Sequence, residues 1–302
     1  MDRLQAMTAF LSVVDTGGFA SAARKLQVSP SVVTRMVSDL EDALGVRLLT
    51  RTTRIVRVTD AGIGYADSCR RILGDLEEAD LAVAGAQQVP RGLLSITASV
   101  LFGKIFVTPI VTEYLRMYDE VDVRCWFLDR IVNLIDEGID AGVRIGELAD
   151  SSMQAVQVAS VRRVVCASPA YLEQHGEPRR PEDLDGHVLI SVSGGSSLPE
   201  WRFGPTAQRT AGQLHSRMAT TTNDSAIEAA VSGFGLTQVL SYQVAQQLEA
   251  GRLKIVLADY EPPRLPIHVV HREGRHASRK VRAFLDLAIE RLRGNAALNA
   301  LQ

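Results

Sequence analysis

The stretch FASAARKLQVSPSVVTRMVSDLEDALGVRLLTRTTRIVRVT, residues 19–59, carries the signals of two helices and a hairpin in unbroken order. Ala22, Ala23 and Leu26 fall on one face of a short amphipathic segment, and Gln27-Val28-Ser29 reads as a tight turn. Ser29 then stands where an N-cap belongs and Pro30 where the first helical residue belongs, a strong start signal for a second helix. Val33, Val37, Leu40 and Leu44 recur at helical spacing as its buried stripe, and Gly45 ends it. Another face carries Ser31, Thr34, Arg35 and Ser38, with nothing bulky and nothing acidic. Residues 43–59 hold Arg47, Arg51, Arg54 and Arg57 and no Asp or Glu, with Thr52 and Thr53 at the expected hairpin tip. Short hydroxyls and an arginine suit a helix that enters the major groove of DNA, and a basic hairpin suits phosphates. The segment therefore predicts a helix-turn-helix with a basic wing that binds double-stranded DNA.

Charge is divided in the same sense. Residues 1–59 hold eight Lys/Arg against five Asp/Glu, while the whole 302-residue chain holds 33 against 35, so the remainder holds 25 against 30. A basic head on an acidic body fits a DNA reader joined to a part with another task. The chain is long enough for two or three domains with sizeable cores. Three widely spaced cysteines, Cys69, Cys125 and Cys166, without a CxxC pair, predict buried thiols in a reducing cytoplasm. The apolar run Ala6–Val14 is too interrupted for a leader, with Asp2 beside Arg3 at its start and Asp15 at its end. Residues 4–15 are read as a first helix instead, packing Leu4, Met7, Phe10, Leu11 and Val14 onto the helix-turn-helix. No stretch approaches the roughly 20 apolar residues of a membrane span.

After the wing, Thr59-Asp60 can cap a long helix over residues 61–88. There Tyr65, Cys69, Ile72, Leu76, Ala79, Val83 and Ala86 alternate steps of four and three, a heptad seam that suits dimerisation. Packing of that helix on its own domain is the competing reading. Val89-Pro90-Arg91-Gly92 breaks the helix. From there strands and helices alternate: strands at 93–98, 121–127, 139–144, 156–167, 187–192, 214–221, 236–240 and 267–271, and helices at 102–118, 131–137, 169–175, 224–232, 242–250 and 278–293. This rhythm predicts an α/β domain with a mostly parallel sheet and helices on both faces.

The segments SAARKLQVSPSVVTRMVSDLEDALGVRLL, RTTRIVRVTDAG and LDRIVNLIDEGIDAGVRIGELADSSM, followed by VVCASPAYLEQHGEP and GFGLTQVLSYQVAQQLEAGRLKIVL, make the chain resemble a LysR-type transcriptional regulator from Leu4 to about Arg293. The resemblance implies a winged helix-turn-helix over 1–59, a linker helix that dimerises over 60–89, and an effector domain over 92–302. That last part resembles a periplasmic binding protein, with a first subdomain at 92–160 and 267–302 and a second at 161–266. It also implies a homodimer, usually a homotetramer, that bends promoter DNA according to a small-molecule effector, with RNA polymerase as a further partner. Many members have Gln-Pro where this chain has Pro30-Ser31, which shifts base reading toward Ser31, Thr34 and Arg35.

The DNA-contacting set is thus Ser29, Pro30, Ser31, Thr34 and Arg35 on the helix and Arg51, Thr52, Thr53 and Arg54 on the wing. For the effector, the resemblance places the ligand between the subdomains, where strand ends meet helix starts. The candidates there are Ser99, Val100, Phe102, Asp129, Arg144 and Asn223. Free N–H groups at residues 99–103 would favour an organic anion. Trp126, Phe127, Trp201 and Phe203 suit core packing better than an aromatic pocket. His268, His271 and His276 do not form a metal site, since 268 and 271 point to opposite faces of a strand. No cofactor is expected. An enzyme is disfavoured, because the chain lacks a G-x-S-x-G, a glycine-rich nucleotide loop and a Cys-His pairing in recognisable context. A solute-binding protein fits the cysteines poorly, and a purely architectural DNA protein would not need 200 further residues. A constitutive DNA-binding repressor with an empty effector domain is the runner-up.

Overall fold

The computed structural model describes residues 2–51, 56–83, 89–148, 153–192, 201–205, 208–209, 216–272 and 277–299. The chain divides into two compact units, Met1–Leu93 and Leu94–Gln302.

The first unit opens with α1 (Arg3–Thr16), α2 (Phe19–Leu26) and α3 (Pro30–Leu44). The short strands β1 (Leu49–Arg51) and β2 (Val56–Val58) and the long helix α4 (Asp60–Val83) follow. Each helix begins and ends where local chemistry directs. The Asp2 carboxylate accepts from the amides of Leu4 and Gln5 at 3.0 and 3.4 Å to start α1. Ser29 Oγ accepts from Val32 N at 3.4 Å to start α3, with Pro30 in the first turn. Gln27 turns left-handed at φ 56° to close α2, and Gly45 does so at φ 68° to close α3. Phe10, Val33, Val37 and Leu40 are each 0 % exposed and form the centre of one core with Leu48 and Leu49. The first turns of α4 join that core through Ala66 and Cys69. Gly62 permits the approach: a Cβ there would lie 2.1 Å from the Leu48 carbonyl oxygen.

The second unit holds two five-stranded sheets. It runs β3 (Gly92–Ala98), α5 (Val100–Phe102), a π-helical stretch Gly103–Val107, α6 (Thr108–Met117), β4 (Val121–Phe127), β5 (Ala141–Ile145) and β6 (Gln154–Val161). Next come β7 (Arg163–Ala167), α7 (Pro169–His175), β8 (Leu189–Val192), β9 (Arg202–Phe203), β10 (Gln208–Arg209), β11 (Ser216–Thr220), α8 (Asn223–Val231), β12 (Leu236–Leu240), α9 (Ala245–Glu249) and β13 (Lys254–Val256). The chain ends with β14 (Leu265–His271), α10 (Arg279–Arg293) and α11 (Ala296–Asn299). One sheet has the order β4-β3-β5-β14-β6 and the other β11-β8-β12-β7-β13. The chain therefore leaves the first sheet between β6 and β7 and returns to it between β13 and β14.

Three expectations are corrected here. The sheets are mixed: β14 runs antiparallel to β5 and β6, and β7 antiparallel to β12 and β13. The strand expected over 156–167 is two strands in different sheets, because the chain crosses over at Arg162. Residues 131–133 are irregular and 134–138 form turns: Asn133 Oδ1 accepts from Ile135 N at 3.0 Å, a local bond that competes with helix formation. The cysteines also divide. Burial pushes the Cys69 thiol up to about 11 and Cys166 up to about 12, whereas Cys125 is exposed on the edge strand β4.

Candidate functional sites

Two surfaces gather the residues singled out in the sequence. On the first unit, α3 turns Val33, Val37 and Leu40 inward, so helical geometry brings the opposite face to solvent. Ser31 and Arg35 are exposed on that face and Thr34 is half-buried beside them. Ser29 and Ser31 are coupled by a 2.9 Å hydrogen bond between their hydroxyls, so the cap and the first groove-facing hydroxyl share one network. Arg35 has no ion pair among the described residues and remains available to an acceptor. In the wing, Thr50 lies directly opposite Arg57 on the exposed face, while Leu49 and Val58 face the core. Thr52, Thr53 and Arg54 and the side chain of Arg51 lie outside the described residues.

One buried carboxylate fixes the wing to the helix, and sequence reading missed it. Glu41 is 2 % exposed, and its Oε1 accepts from the amides of both Leu48 and Leu49 at 2.9 Å. Its Oε2 accepts from Arg47 at 2.7 Å. Burial works to raise its pKa, but the Leu49 amide, the Arg47 guanidinium and the Leu48 amide together hold it below the usual glutamate range. Arg47, read from sequence as part of the basic stretch, is therefore committed to an internal ion pair. Its neighbour Thr59 donates to the Arg47 carbonyl at 2.8 Å and accepts from Gly62 N at 3.0 Å, capping α4.

In the second unit a cleft of about 690 Å³ opens between the two sheets, a size that fits a small ligand. Of the residues expected to hold an effector, Ser99, Asp129, Arg144 and Asn223 line it. Val100 and Phe102 do not. Phe102 is 0 % exposed and packs against Phe106 and Tyr242 at ring separations of 4.8 and 5.3 Å, in the core beneath the cleft. Tyr242 comes from the turn after β12, so the two sheets share this aromatic floor. Burial pushes the Tyr242 hydroxyl up to about 12. Ser99 Oγ is buried beside it without a hydrogen bond of good geometry.

The helix start at residue 99 differs from expectation in one respect. Asp129 Oδ1 accepts from Val100 N at 3.0 Å, so a carboxylate of the protein already occupies the first free amide. Arg144 is half-buried and donates to the Val132 carbonyl, and burial lowers its pKa against the opposing effect of Glu137. Residues that sequence reading did not assign also line the cleft, among them Arg163, Gln238, Tyr242 and Gln243. Trp201, expected in the core, is 5 % exposed and presents part of its surface to the cleft; Phe203 is core. Trp126 is 43 % exposed on β4, away from both roles. Among the described residues, no three His, Cys, Asp or Glu side chains converge on a metal-sized point. No helix among them is long and apolar enough to cross a membrane.

Comparison with known proteins is consistent along the chain. A family described as the bacterial regulatory helix-turn-helix protein, lysR family, matches residues 4–63, and the LysR substrate binding domain matches residues 87–293. An HTH-type transcriptional repressor of Pseudomonas aeruginosa is 34 % identical over 96 % of this chain and 92 % of its own length. The HTH-type transcriptional activator AaeR of Escherichia coli is 30 % identical over 95 % of this chain and 93 % of its own. Among solved structures, CrgA, a LysR-type transcriptional regulator from Neisseria meningitidis, aligns at a TM-score of 0.61 and 28 % identity. That alignment spans 96 % of this chain and 99 % of the CrgA chain.

Proposed function

Because the chain belongs to the LysR family of bacterial transcriptional regulators, we propose that it binds and bends promoter DNA in response to a small organic anion held in the cleft of its second unit. The family consists of DNA-binding regulators rather than enzymes, and the two matched domains are a DNA reader and an effector-binding domain. In this reading Ser31, Thr34 and Arg35 reach base edges from the N-terminal half of α3, with Ser29 and Pro30 at its tip. Arg51, Thr52, Thr53 and Arg54 hold phosphates or enter the minor groove, giving affinity without sequence. Two copies associate through α4, and pairs of dimers form a tetramer in the cytoplasm that contacts RNA polymerase. Residues 1–59, 60–89 and 92–302 serve as reader, linker and effector domain.

The observation that carries the reading is the capped helix α3 with an exposed Arg35, without an ion pair among the described residues, beside Ser31. Its test is selection of bound fragments from a pool of random duplex DNA. Wild-type protein enriches a two-fold symmetric sequence; Arg35→Ala flattens the preference at specific positions, while Arg54→Ala weakens all fragments alike. A good bidentate base contact is worth roughly 1–3 kcal/mol of discrimination, enough to separate the two outcomes. If wild type enriches no sequence, or Arg35→Ala keeps the full wild-type preference, the assignment of α3 as the reader fails.

A second reading, a constitutive DNA-binding repressor whose cleft takes no ligand, draws on one observation: Asp129 fills the Val100 amide that an effector anion would otherwise use. It predicts DNA affinity that no small molecule alters.

A further inference from the structure

Three arginines line the cleft, and two of them are engaged. Arg130 donates to both carboxylate oxygens of Glu137 at 2.7 and 2.8 Å, and Arg144 donates to the Val132 carbonyl. Arg163, the first residue of β7, has no carboxylate or other acceptor among the described residues. Burial disfavours its charge, and the Arg202 guanidinium disfavours it further, so its pKa is held below the usual arginine value. A half-buried guanidinium without a counter-charge is costly unless something pairs with it.

The surroundings of Arg163 are fixed. In the antiparallel pairing of β7 with β12, Leu240 lies opposite Arg163 and Gln238 opposite Val165. Alternation along the strand then places Arg163 and Gln238 on one face of the sheet. The Gln238 amide is locked in orientation, with Nε2 donating to the Arg202 carbonyl at 3.0 Å and Oε1 accepting from Arg202 N at 3.1 Å. Trp201 precedes that segment, packs in one apolar cluster with Val165 of β7, and also lines the cleft. Ile145, Leu148, Met153 and Val192 give the cleft apolar wall.

We propose that Arg163, flanked by Gln238 and Trp201, is the acid-binding end of the cleft and takes the carboxylate of an effector whose body is apolar. The proposal rests on the reading of this cleft as the effector site. It moves the anionic end of the ligand from the amide at Val100, where Asp129 stands, to the opposite sheet. A ligand held by Arg163 at one end and by Ser99 at the other bridges both sheets. Occupancy then ties their relative position to the presence of the acid, which is what an effector-driven change in DNA bend requires.

The test uses the full chain, with benzoate and hexanoate as probes and benzamide and hexanamide as their uncharged counterparts. Thermal unfolding and titration calorimetry are read for wild type, Arg163→Gln, Arg163→Lys and the surface control Arg252→Gln. The acids raise the unfolding midpoint of wild type and the amides do not. Arg163→Gln weakens acid binding by roughly tenfold to a hundredfold, as expected for losing a hydrogen bond to a charged group. Arg163→Lys retains part of the affinity, and Arg252→Gln all of it. Without ligand, Arg163→Gln unfolds at the wild-type temperature or above, since a half-buried charge with no partner among the described residues has been removed. The assignment is overturned if millimolar acids leave wild type unmoved, if amides serve as well as acids, or if Arg163→Gln binds the acids as tightly as wild type. Gel shifts with the selected DNA separate the two layers of argument. Acids that bind through Arg163 yet leave DNA affinity unchanged sink the effector reading alone. Acids that alter DNA binding equally in wild type and Arg163→Gln sink the Arg163 subsite alone.

Discussion

A carboxylate with its side chain at 1 % exposure is an unusual fixture beside a hairpin that must meet phosphate, and Glu41 makes its neighbourhood sensitive to acid. Its pKa is lowered in the folded chain, so its contribution to stability is complete above the ordinary glutamate range of about 4.3 and is lost as pH falls through the lower folded value. Thermal unfolding of the first unit's signal should therefore fall steeply with acidification in wild type and less steeply in Glu41→Gln. The glutamine keeps an oxygen for the Leu48 and Leu49 amides but cannot titrate; equal slopes would remove Glu41 from the account. Glu41→Leu instead strands two buried amides, at roughly 1–3 kcal/mol each. Gly62 makes a second prediction at this scale. Its missing Cβ is what lets α4 pass the Leu48 carbonyl, so Gly62→Ala should lower stability by about 1–3 kcal/mol through forced separation. An unchanged midpoint would show that the backbone yields freely there. Neither residue was visible in the sequence as more than a polar helix position and a helix glycine. The partners of Glu41 lie 6 to 8 residues away, the Leu48 carbonyl that Gly62 passes lies further still, and all are in place only once the wing has folded back.

At the scale of elements, what was legible was what is local. Ser29-Pro30 and Gly45 announce α3 because the cap, the fixed proline φ and the left-handed stop act within one turn. Ser29→Ala should cost about 1 kcal/mol, and because Ser29 Oγ also bonds Ser31 it should lower DNA affinity more than stability. Circular dichroism melting together with DNA titration would check both. What was not legible depends on the sheets. Residues 156–167 look like one strand because apolar residues flank Arg162-Arg163 on both sides with no Gly or Pro between them, yet tertiary pairing sends the two halves to different sheets. Residues 131–137 have apolar spacing but lose to the local bonds of Asn133. Arg163 reads as any arginine at a strand end, and only the assembled face shows that it has no acceptor among the described residues. For α4, the heptad seam resolves into two parts. Cys69 packs into the core of its own unit, while Ile72 and Leu76 are 37 % and 41 % exposed. Ala79, Val83 and Ala86 lie outside the described side chains. Leu76→Asp should therefore shift the protein toward monomer in sedimentation velocity without unfolding the head. A dimer that persists unchanged would place the self-contact elsewhere.

At the scale of the whole effector unit, the decisive feature is how little chain connects the two sheets. One crossover passes through Arg162 between β6 and β7, and the other returns from β13 to β14 past Glu261. Both carboxylate oxygens of Glu261 accept from the Arg162 guanidinium at 2.6 and 2.7 Å, and the Arg162 backbone exchanges bonds with Ser241 at 2.9 and 3.3 Å. The crossovers are thus cross-linked to each other and to the turn that delivers Tyr242 to the cleft floor. Motion of one sheet against the other has to work against this clamp, so the clamp sets how readily the cleft opens. Its two side chains are 25 % and 14 % exposed, between the surface and buried extremes, so Glu261→Gln should cost roughly 1–2 kcal/mol of stability. The functional consequence differs from that of a cleft mutation. Loosening the crossovers admits more open conformers, and a ligand that must bridge both sheets then spends binding free energy on closing them. Acid binding should weaken with Arg163 intact, and the dependence of DNA affinity on the acid should become shallower. Hydrogen exchange at β6, β7 and β14 would check the physical cause. Faster exchange confined to the crossovers supports a hinge clamp, whereas faster exchange throughout both sheets would reduce the pair to an ordinary contribution to stability.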